Sequence, residues 1–300
     1  MRNPQHLSPM GAEYAEIGEI HRSNMSRVSF AEHQSHGLVI VKQSIDPENE
    51  TLRARLAREA EVLSHLDHPQ IPTVLEDGAD HDFPYFVMAR EFGTEGAPCL
   101  QDFPLPVLAA RIVYSMLDPL GYVHENGLVH RDIKPRNLVV QWSGRTALID
   151  FGIVIPSSVE EDVGDAANNG FTPEERLFQD GRLTHSDIVL GTASYMSPSR
   201  SAGEGASPSD DIYSAGITFY ELLYGRLPFP TFKRTVSEIA QSHRDEAINF
   251  AAPRRRRVPE ELKAVIERAT RKDPEERYQT TAEMREDIQK YLRDNPKVRA

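Results

Sequence analysis

One stretch limits the possible folds of this chain more than any other: residues 128–152, LVHRDIKPRNLVVQWSGRTALIDFG. It contains two short apolar segments, Leu138–Val140 and Ala147–Ile149, separated by the turn signal Ser143-Gly144, and this pattern predicts a tight β-hairpin. The two ends of a hairpin lie close together. The loops that precede and follow it should therefore meet at one edge of the fold, where functional groups commonly lie on a rigid scaffold.

Both of these loops carry oxygen ligands. Asp132 and Asn137 precede the first strand, and Asp150 follows the second. Hard cations such as Mg²⁺ prefer carboxylate and amide oxygens, and they usually take only one or two protein ligands when phosphates and waters complete the coordination. The sequence therefore predicts an oxygen-rich site for a metal–phosphate group. The alternative is an unrelated hairpin with acidic ends.

Two motifs in this stretch resemble a known family. H-R-D-x-K-P-x-N at 130–137, followed by D-F-G at 150–152, is similar to the catalytic and metal loops of eukaryotic-type (Hanks-type) bacterial serine/threonine protein kinases. The resemblance covers about residues 14–292. It implies an α+β, bilobal protein-kinase-like fold with a small β-rich N-lobe and a larger, mainly α-helical C-lobe. It also implies ATP with Mg²⁺, or Mn²⁺ as an alternative, between the lobes.

The family resemblance divides the chain as follows: a loose leader at 1–12, a kinase domain at 13–293 and a tail at 294–300. Within the domain we expect an N-lobe at 13–88, a hinge at 89–93, a C-lobe at 94–293 and a long activation segment at 150–199. Apolar periodicity predicts two or three strands in 14–42, a strand at Tyr85–Met88, and helices at Glu50–Leu66, Pro106–Asn126, Asp211–Gly225, Glu260–Thr270 and Thr281–Leu292.

A buried ion pair is predicted in the N-terminal part. The apolar run Val39-Ile40-Val41 ends in Lys42, which is similar to the V-A-I-K strand of the family. Glu59 falls within the leucine stripe of the helix that follows, and an unpaired carboxylate on a packed face is costly. Lys42 is its natural partner, although Glu59 could instead lie at the wet edge of the stripe. The family uses this pair to hold the α- and β-phosphates of ATP.

The resemblance also implies individual catalytic roles. Asp132 would orient the acceptor hydroxyl, Lys134 would neutralise the transferred phosphoryl group, and Asn137 and Asp150 would hold the metal. Asp211 would brace the backbone of the His-Arg-Asp motif. Further ATP contacts are implied at Ile20, Val28, Ile40, Met88 (the gatekeeper), Val139, and the backbone of Ala89 and Glu91.

Regulation is expected through the activation segment. Arg131 places a positive charge beside Asp132, and the family often offsets that charge with a phosphate on this segment. Candidate phosphosites, which we do not rank, are Thr172, Thr184 and Ser186. Thr192 resembles the threonine that hydrogen-bonds the catalytic loop. The alternative is that this long polar segment is a passive linker.

The sequence departs from the family pattern at three places. When Val28 is aligned with the family valine, His21, Ser23 and Ser26 stand where glycines bring backbone amides close to phosphates. We therefore expect weaker phosphate binding or the use of side-chain donors.

The second departure is Ile40, which replaces a small alanine in the adenine pocket. The third is Ser197-Pro198-Ser199 in place of Ala-Pro-Glu. Arg277, the usual partner of that glutamate, must then find another acceptor or stay in water.

Charge and cysteine content restrict the partners and the compartment. A net charge of -12 argues against nucleic acid and anionic membrane surfaces. The basic run at 254–257 is either a solvated linker that contacts nearby acids or a polyanion site. The single Cys99 favours a reducing compartment. We expect a soluble, cytoplasmic protein without the membrane anchor that many bacterial members of the family carry.

The leading hypothesis is a serine/threonine protein kinase that acts on protein substrates and, through self-association, on its own activation segment. The first alternative is a pseudokinase, a regulatory binding module whose glycine-poor loop limits phosphotransfer. The second is a small-molecule kinase such as an antibiotic phosphotransferase. Lys134, Phe151 and the Gly191-Thr192 pair favour a protein acceptor over the second alternative.

Overall fold

The computed structural model describes residues 14–23, 25–95, 106–141, 145–152, 154–156, 193–202, 206–251 and 258–296. The chain divides into two compact units, Met1–Glu91 and Phe92–Ala300. The first is mainly β-sheet and the second mainly helical. The predicted fold class is confirmed.

The described elements of the first unit are β1 Tyr14–Arg22, β2 Ser26–His33, β3 Gly37–Ser44, α1 Glu50–Ser64, β4 Val74–Gly78 and β5 Tyr85–Ala89. The strands form a five-stranded antiparallel sheet with the strand order β1-β2-β3-β5-β4. The helix α1 begins after Asn49, whose side chain accepts the N–H of Leu52 and so satisfies one free donor of the first turn.

The two faces of this sheet carry different side chains, because neighbouring residues on a strand point to opposite faces. One face carries the fully buried core residues Ala31, Val39, Val41 and Val87. The other face carries Lys42. Val39 and Val41 lie on the core face, whereas Ile40 between them lies half-buried on the face of Lys42, so the continuous β-branched run reflects burial on both faces of β3.

The helices described in the second unit are α2 Pro106–Glu125, α3 Pro198–Ser201, α4 Pro208–Tyr224, α5 Val236–Asp245, α6 Glu260–Ala269 and α7 Thr281–Asp294. α4 is covered on nearly all sides, as its apolar sequence predicted, and it ends at Gly225 in the left-handed conformation (φ 66°) that glycine adopts most easily. α2 packs against α7, and α4 packs against α6.

Short strands complete the second unit. β8 (Leu138–Val140) and β9 (Thr146–Leu148) form the predicted antiparallel hairpin, with the second strand one residue earlier than expected. The predicted turn lies in 142–144, outside the described residues. β6 (Thr94–Glu95) pairs with β8, next to Gly93, where a Cβ would lie 2.4 Å from the Val140 carbonyl oxygen. β7 (Leu128–Val129) pairs with β10 (Ile155–Pro156).

The predicted elements agree with the observed ones within a few residues at each end. The region before Lys42 forms three strands, and every predicted helix is present. Over the described ranges, no helix combines the length and apolarity that a membrane crossing requires.

Candidate active site

Asp132 is the centre of a hydrogen-bonded group in the second unit. Lys134 Nζ lies 2.6 Å from Asp132 Oδ2, and Asn137 Nδ2 donates both to the same carboxylate oxygen and to the Asp132 carbonyl, each at 2.8 Å. A short 3-10 turn, Pro135–Asn137, carries the amide back toward the carboxylate. The three polar groups predicted from the catalytic motif are therefore in direct contact.

The backbone before Asp132 is held by Asp211 of α4. The two carboxylate oxygens of Asp211 accept the N–H groups of His130 and Arg131, each at 2.7 Å, and His124 Nε2 lies 2.8 Å from Oδ2. Arg131 has a left-handed backbone (φ 72°), which is unfavourable for a residue with a side chain. The buried Asp211 carboxylate stabilises this conformation and so fixes the direction of the Asp132 loop.

The hairpin brings Asn137 and Asp150 to one end, as predicted. The N–H of Ile149 donates to the Asn137 carbonyl at 2.9 Å, directly after the last ladder pair. Asp150 also has a left-handed backbone (φ 67°). Because the Asn137 amide nitrogen is bound to Asp132, its oxygen is the atom left for a cation. An amide oxygen beside a carboxylate fits Mg²⁺, with phosphates and waters as further ligands.

His130 lies near three carboxylates, those of Asp211, Asp132 and Asp150, whose charges act on its imidazole. It is fully buried, and burial lowers its pKa, while the charges of Asp211, Asp132 and Asp150 act in the opposite direction. Its ring lies edge-on to Phe151, with centroids 4.8 Å apart. The His130 ring therefore packs the loop of Asp132 against Phe151, the residue that follows Asp150.

The first unit contains the predicted ion pair. Lys42 Nζ lies 2.7 Å from Glu59 Oε1, and both side chains are buried. Glu59 thus lies on the packed face of α1 and not at its wet edge. A buried charged hydrogen bond of this length is among the stronger polar contacts in a protein, so Lys42 is held in a defined position.

Most of the side chains expected to contact ATP share one face of the sheet with Lys42. Val28 pairs with Lys42, and Ile40 pairs with Met88 across the neighbouring strands. All three apolar residues are half-buried, and Ile20 on β1 is exposed. In the second unit, Val139 is half-buried on β8.

The predicted adenine contacts of Ala89 and Glu91 are backbone groups at the end of the first unit. The N–H of Ala89 donates to the Thr73 carbonyl at 2.8 Å, so a contact from Ala89 would use its carbonyl oxygen. Glu91 is half-buried. Their roles in nucleotide binding stay predictions.

The structure decides the question left open for Arg277. Its side chain is completely buried and not wet, and it donates to the carbonyls of Arg271, Lys272 and Ser209 at 2.8–3.1 Å. The carboxylate of Asp210 lies 3.6 Å away. Asp210 Oδ1 also accepts the hydroxyls of Ser197 at 2.6 Å and Ser199 at 2.5 Å, which are the residues that replace the family's alanine and glutamate.

Sequence reasoning missed a second contact of α4. The Tyr195 hydroxyl donates to Glu221, and Ser214 Oγ donates to the Tyr195 carbonyl at 2.8 Å. Burial raises the pKa of Glu221, and the bond from Tyr195 offsets part of that shift. The available sequence signal was Glu221, a charged residue in the otherwise apolar second half of α4. α4 therefore positions both the catalytic loop and the segment after residue 192.

The regulatory residues are only partly described. Arg131 is buried, and its carbonyl accepts a hydrogen bond from Arg200 Nη1 at 2.7 Å. The four candidate residues of the activation segment lie outside the described residues: Thr172, Thr184, Ser186 and Thr192. Their predicted roles stay predictions.

The fold and the grouping of Asp132, Lys134 and Asn137 under Asp211 define a protein kinase domain. A family model described as "Protein kinase domain" matches residues 14–288, and the chain belongs to this family. The sequence-based assignment is thereby confirmed. Members of the family use ATP and a divalent metal ion in general.

The chain is similar to several bacterial serine/threonine kinases. It is 32% identical to the serine/threonine-protein kinase PrkC of Bacillus subtilis over 80% of this chain and 34% of that protein. It is 31% identical to PknB of Mycobacterium tuberculosis over 96% of this chain and 44% of that protein. It is 31% identical to the probable serine/threonine-protein kinase SCO3848 of Streptomyces coelicolor over 99% of this chain and 42% of that protein. The chain thus spans less than half the length of these relatives.

Proposed function

We propose that this protein is a serine/threonine protein kinase that transfers the γ-phosphoryl group of ATP to hydroxyl groups of protein substrates. The observation that carries the proposal is the contact of Asp132 with both Lys134 and Asn137 in a loop whose backbone is held by Asp211. Phosphoryl transfer demands positioning and charge stabilisation more than covalent chemistry. A rigid carboxylate beside a lysine supplies both.

The residues of the second unit have separable tasks. Asp132 accepts and orients the proton of the acceptor hydroxyl, and Lys134 neutralises charge that develops on the transferred group. Asn137 and Asp150 would hold Mg²⁺, or Mn²⁺ in its place. Magnesium-bound ATP supplies the phosphoryl group and part of the neutralising charge.

In the first unit, Lys42 binds the phosphate chain of ATP and Glu59 fixes its position. A lysine on a flexible stem would lose side-chain entropy on binding, whereas one already paired at 2.7 Å has lost most of it beforehand. The half-buried face formed by Val28, Ile40 and Met88 suits an apolar ring such as adenine. The side chain of Ile40 leaves less room for the adenine ring on this face than the alanine that is usual in the family.

The proposed acceptors are proteins, including further copies of this chain that meet it for autophosphorylation. The names of PrkC and PknB as serine/threonine-protein kinases support the acceptor class. The acidic charge of -12 disfavours nucleic acid and anionic membranes as partners. The single cysteine supports a cytoplasmic location.

Mass spectrometry of the purified protein after incubation with magnesium-ATP tests this function. We expect phosphate on serine or threonine residues, with Thr172, Thr184 and Ser186 as the first candidates. The variants Asp132→Asn and Lys42→Met should abolish the label, and the exposed controls Asp294→Asn and Lys290→Met should keep it. Nucleotide-dependent shifts of the melting temperature without any transfer would instead indicate a pseudokinase.

A further inference from the structure

A serine side chain closes the turn between β1 and β2. The Oγ of Ser23 accepts the N–H groups of Met25 at 3.1 Å and Ser26 at 3.0 Å, and it donates to the Ser26 carbonyl at 3.2 Å. The backbone N–H of Ser23 donates to the same carbonyl at 2.9 Å. A serine hydroxyl has one donor and two acceptor positions. All three are used within the turn.

This turn stands where the family resemblance places its phosphate-binding glycines. Such a loop binds phosphate because several backbone N–H groups point at the anion with no side chain in the way. Here, two N–H groups of the turn already donate to an oxygen of the chain itself. The Ser23 hydroxyl also has no capacity left to donate to a phosphate unless the turn opens.

Further contacts hold the turn in this form. The Met25 carbonyl accepts the N–H of Ile45, just after β3, at 3.4 Å. From α1, Arg55 Nη1 lies 2.9 Å from Met25 Sδ. The tip of the turn is therefore attached to two other elements of the first unit.

The arginines that flank the turn are also paired. Arg27 contacts Glu16 and lies 2.9 Å from Glu19, and Arg22 lies 3.1 Å from Glu19. Exposed ion pairs contribute little to stability individually. They nevertheless direct both guanidinium groups toward carboxylates, so a phosphate would have to compete for them as well.

We propose that Ser23 is an affinity-limiting residue: its Oγ competes with the phosphates of ATP for the N–H groups of Met25 and Ser26. This inference rests on the proposed function and deepens it. The competition weakens phosphate binding at the turn and leaves Lys42 as the main phosphate ligand of the first unit. Substitution of Ser23 should therefore strengthen nucleotide binding, although most substitutions at a binding site weaken it.

The test is isothermal titration of the full chain with magnesium-ATP and with adenosine. Ser23→Ala removes the competing oxygen, so its Kd for magnesium-ATP should fall by about three- to tenfold, the effect of one net hydrogen bond. The Kd for adenosine, which has no phosphates, should not change. Ser35→Ala, at an exposed serine in the turn after β2, is the matched control and should bind both ligands as the wild type does.

Hydrogen exchange of the Met25 and Ser26 amides supplies an independent readout, and both should exchange faster in Ser23→Ala. Ser23→Gly, which restores a glycine at this position, should show the same gain and serves if the alanine variant folds poorly. If both variants bind magnesium-ATP no more tightly than the wild type, or if the Met25 and Ser26 amides exchange at the wild-type rate, the inference is wrong. The proposed function still stands in that case, provided that the wild type binds magnesium-ATP. If the wild type itself binds no ATP, the proposed function and the inference both fail.

Discussion

The carboxylate of Asp210 lies 3.6 Å from the guanidinium of Arg277, and both side chains are completely buried. In the family pattern, the acid that pairs with this arginine would stand at position 199, which is a serine here. The Ser199 hydroxyl donates to Asp210 instead. The acid that faces Arg277 is therefore Asp210, at the start of α4, in place of a glutamate at position 199. Ser197 and Ser199 of the Ser-Pro-Ser segment donate hydrogen bonds to this aspartate.

Two substitutions test this relocation. Asp210→Asn removes the charge that faces Arg277, and loss of one partner of a buried pair costs about 3–5 kcal/mol of unfolding free energy. Ser199→Glu alone should also destabilise the protein, because it places a second carboxylate against Asp210. The double variant should be more stable than the sum of the two effects predicts, by about 1 kcal/mol or more. Urea unfolding followed by circular dichroism measures all four proteins, and strictly additive losses would contradict the relocation.

Glu59→Gln should impair catalysis through the position of Lys42. It removes the charge that holds Lys42 at 2.7 Å, so the lysine must be repositioned each time that ATP binds. We expect kcat/KM for ATP to fall by about 30-fold, equivalent to about 2 kcal/mol of transition-state stabilisation. The exposed neighbour on the same helix gives the control Glu61→Gln. Equal kinetics for the two variants would show that the pair is purely structural.

Asp211→Asn should lower kcat while leaving the KM for ATP nearly unchanged. The carboxylate accepts the N–H groups of His130 and Arg131, and an amide can accept them with only one oxygen. The left-handed Arg131 would then lose support, and Asp132 would be less precisely placed. A drop of about 10- to 100-fold in kcat is expected for a misplaced proton acceptor. Steady-state kinetics beside Asp294→Asn, an exposed control, decide the point; a rise in KM alone would argue against a positioning role.

Acid should destabilise the protein partly through His243. Burial lowers the pKa of this imidazole to about 3, and the charge of Lys272 acts in the same direction. Its Nδ1 lies 2.8 Å from the Tyr213 hydroxyl, and its ring lies against Phe229. Below about pH 6.5 the unfolded chain binds a proton that the folded chain does not, so this group removes about 1.4 kcal/mol of stability per pH unit down to about pH 3.

Unfolding free energies between about pH 4 and pH 7 check this prediction. His243→Asn should be less stable at neutral pH, but it should lose stability less steeply as the pH falls than the wild type does. The exposed His65→Asn should keep the wild-type slope. Parallel slopes for wild type and His243→Asn would mean that His243 takes up its proton without unfolding.

The hairpin and the Lys42–Glu59 pair could be predicted from the sequence because their signals are local. Alternating or continuous apolar runs define the strands, and a glutamate within a leucine stripe requires a nearby cation. The motif at 130–137 added the expectation that Asp132, Lys134 and Asn137 act together. The structure brings them into contact.

Other parts of the site could not be read from the sequence. Asp210 reaches Arg277 only through the packing of α4 against distant segments, and no pattern identified it as a substitute for residue 199. Ser23 was recognised as a replaced glycine, but the direction of its hydroxyl depends on turn geometry. The bond between Tyr195 and Glu221 likewise exists only in the folded chain. Long-range polar contacts of this kind leave no periodic signal.

The most direct test of the proposed kinase activity is the transfer of labelled phosphate from magnesium-ATP to a protein acceptor by wild type and Asp132→Asn, with the exposed Asp294→Asn as control. We predict label on serine and threonine with wild type and control, and a loss of about 100-fold or more with Asp132→Asn. Removal of the metal with a chelator should abolish transfer by all three proteins. Equal transfer by wild type and Asp132→Asn, or no transfer by any protein with ATP bound, would contradict the account.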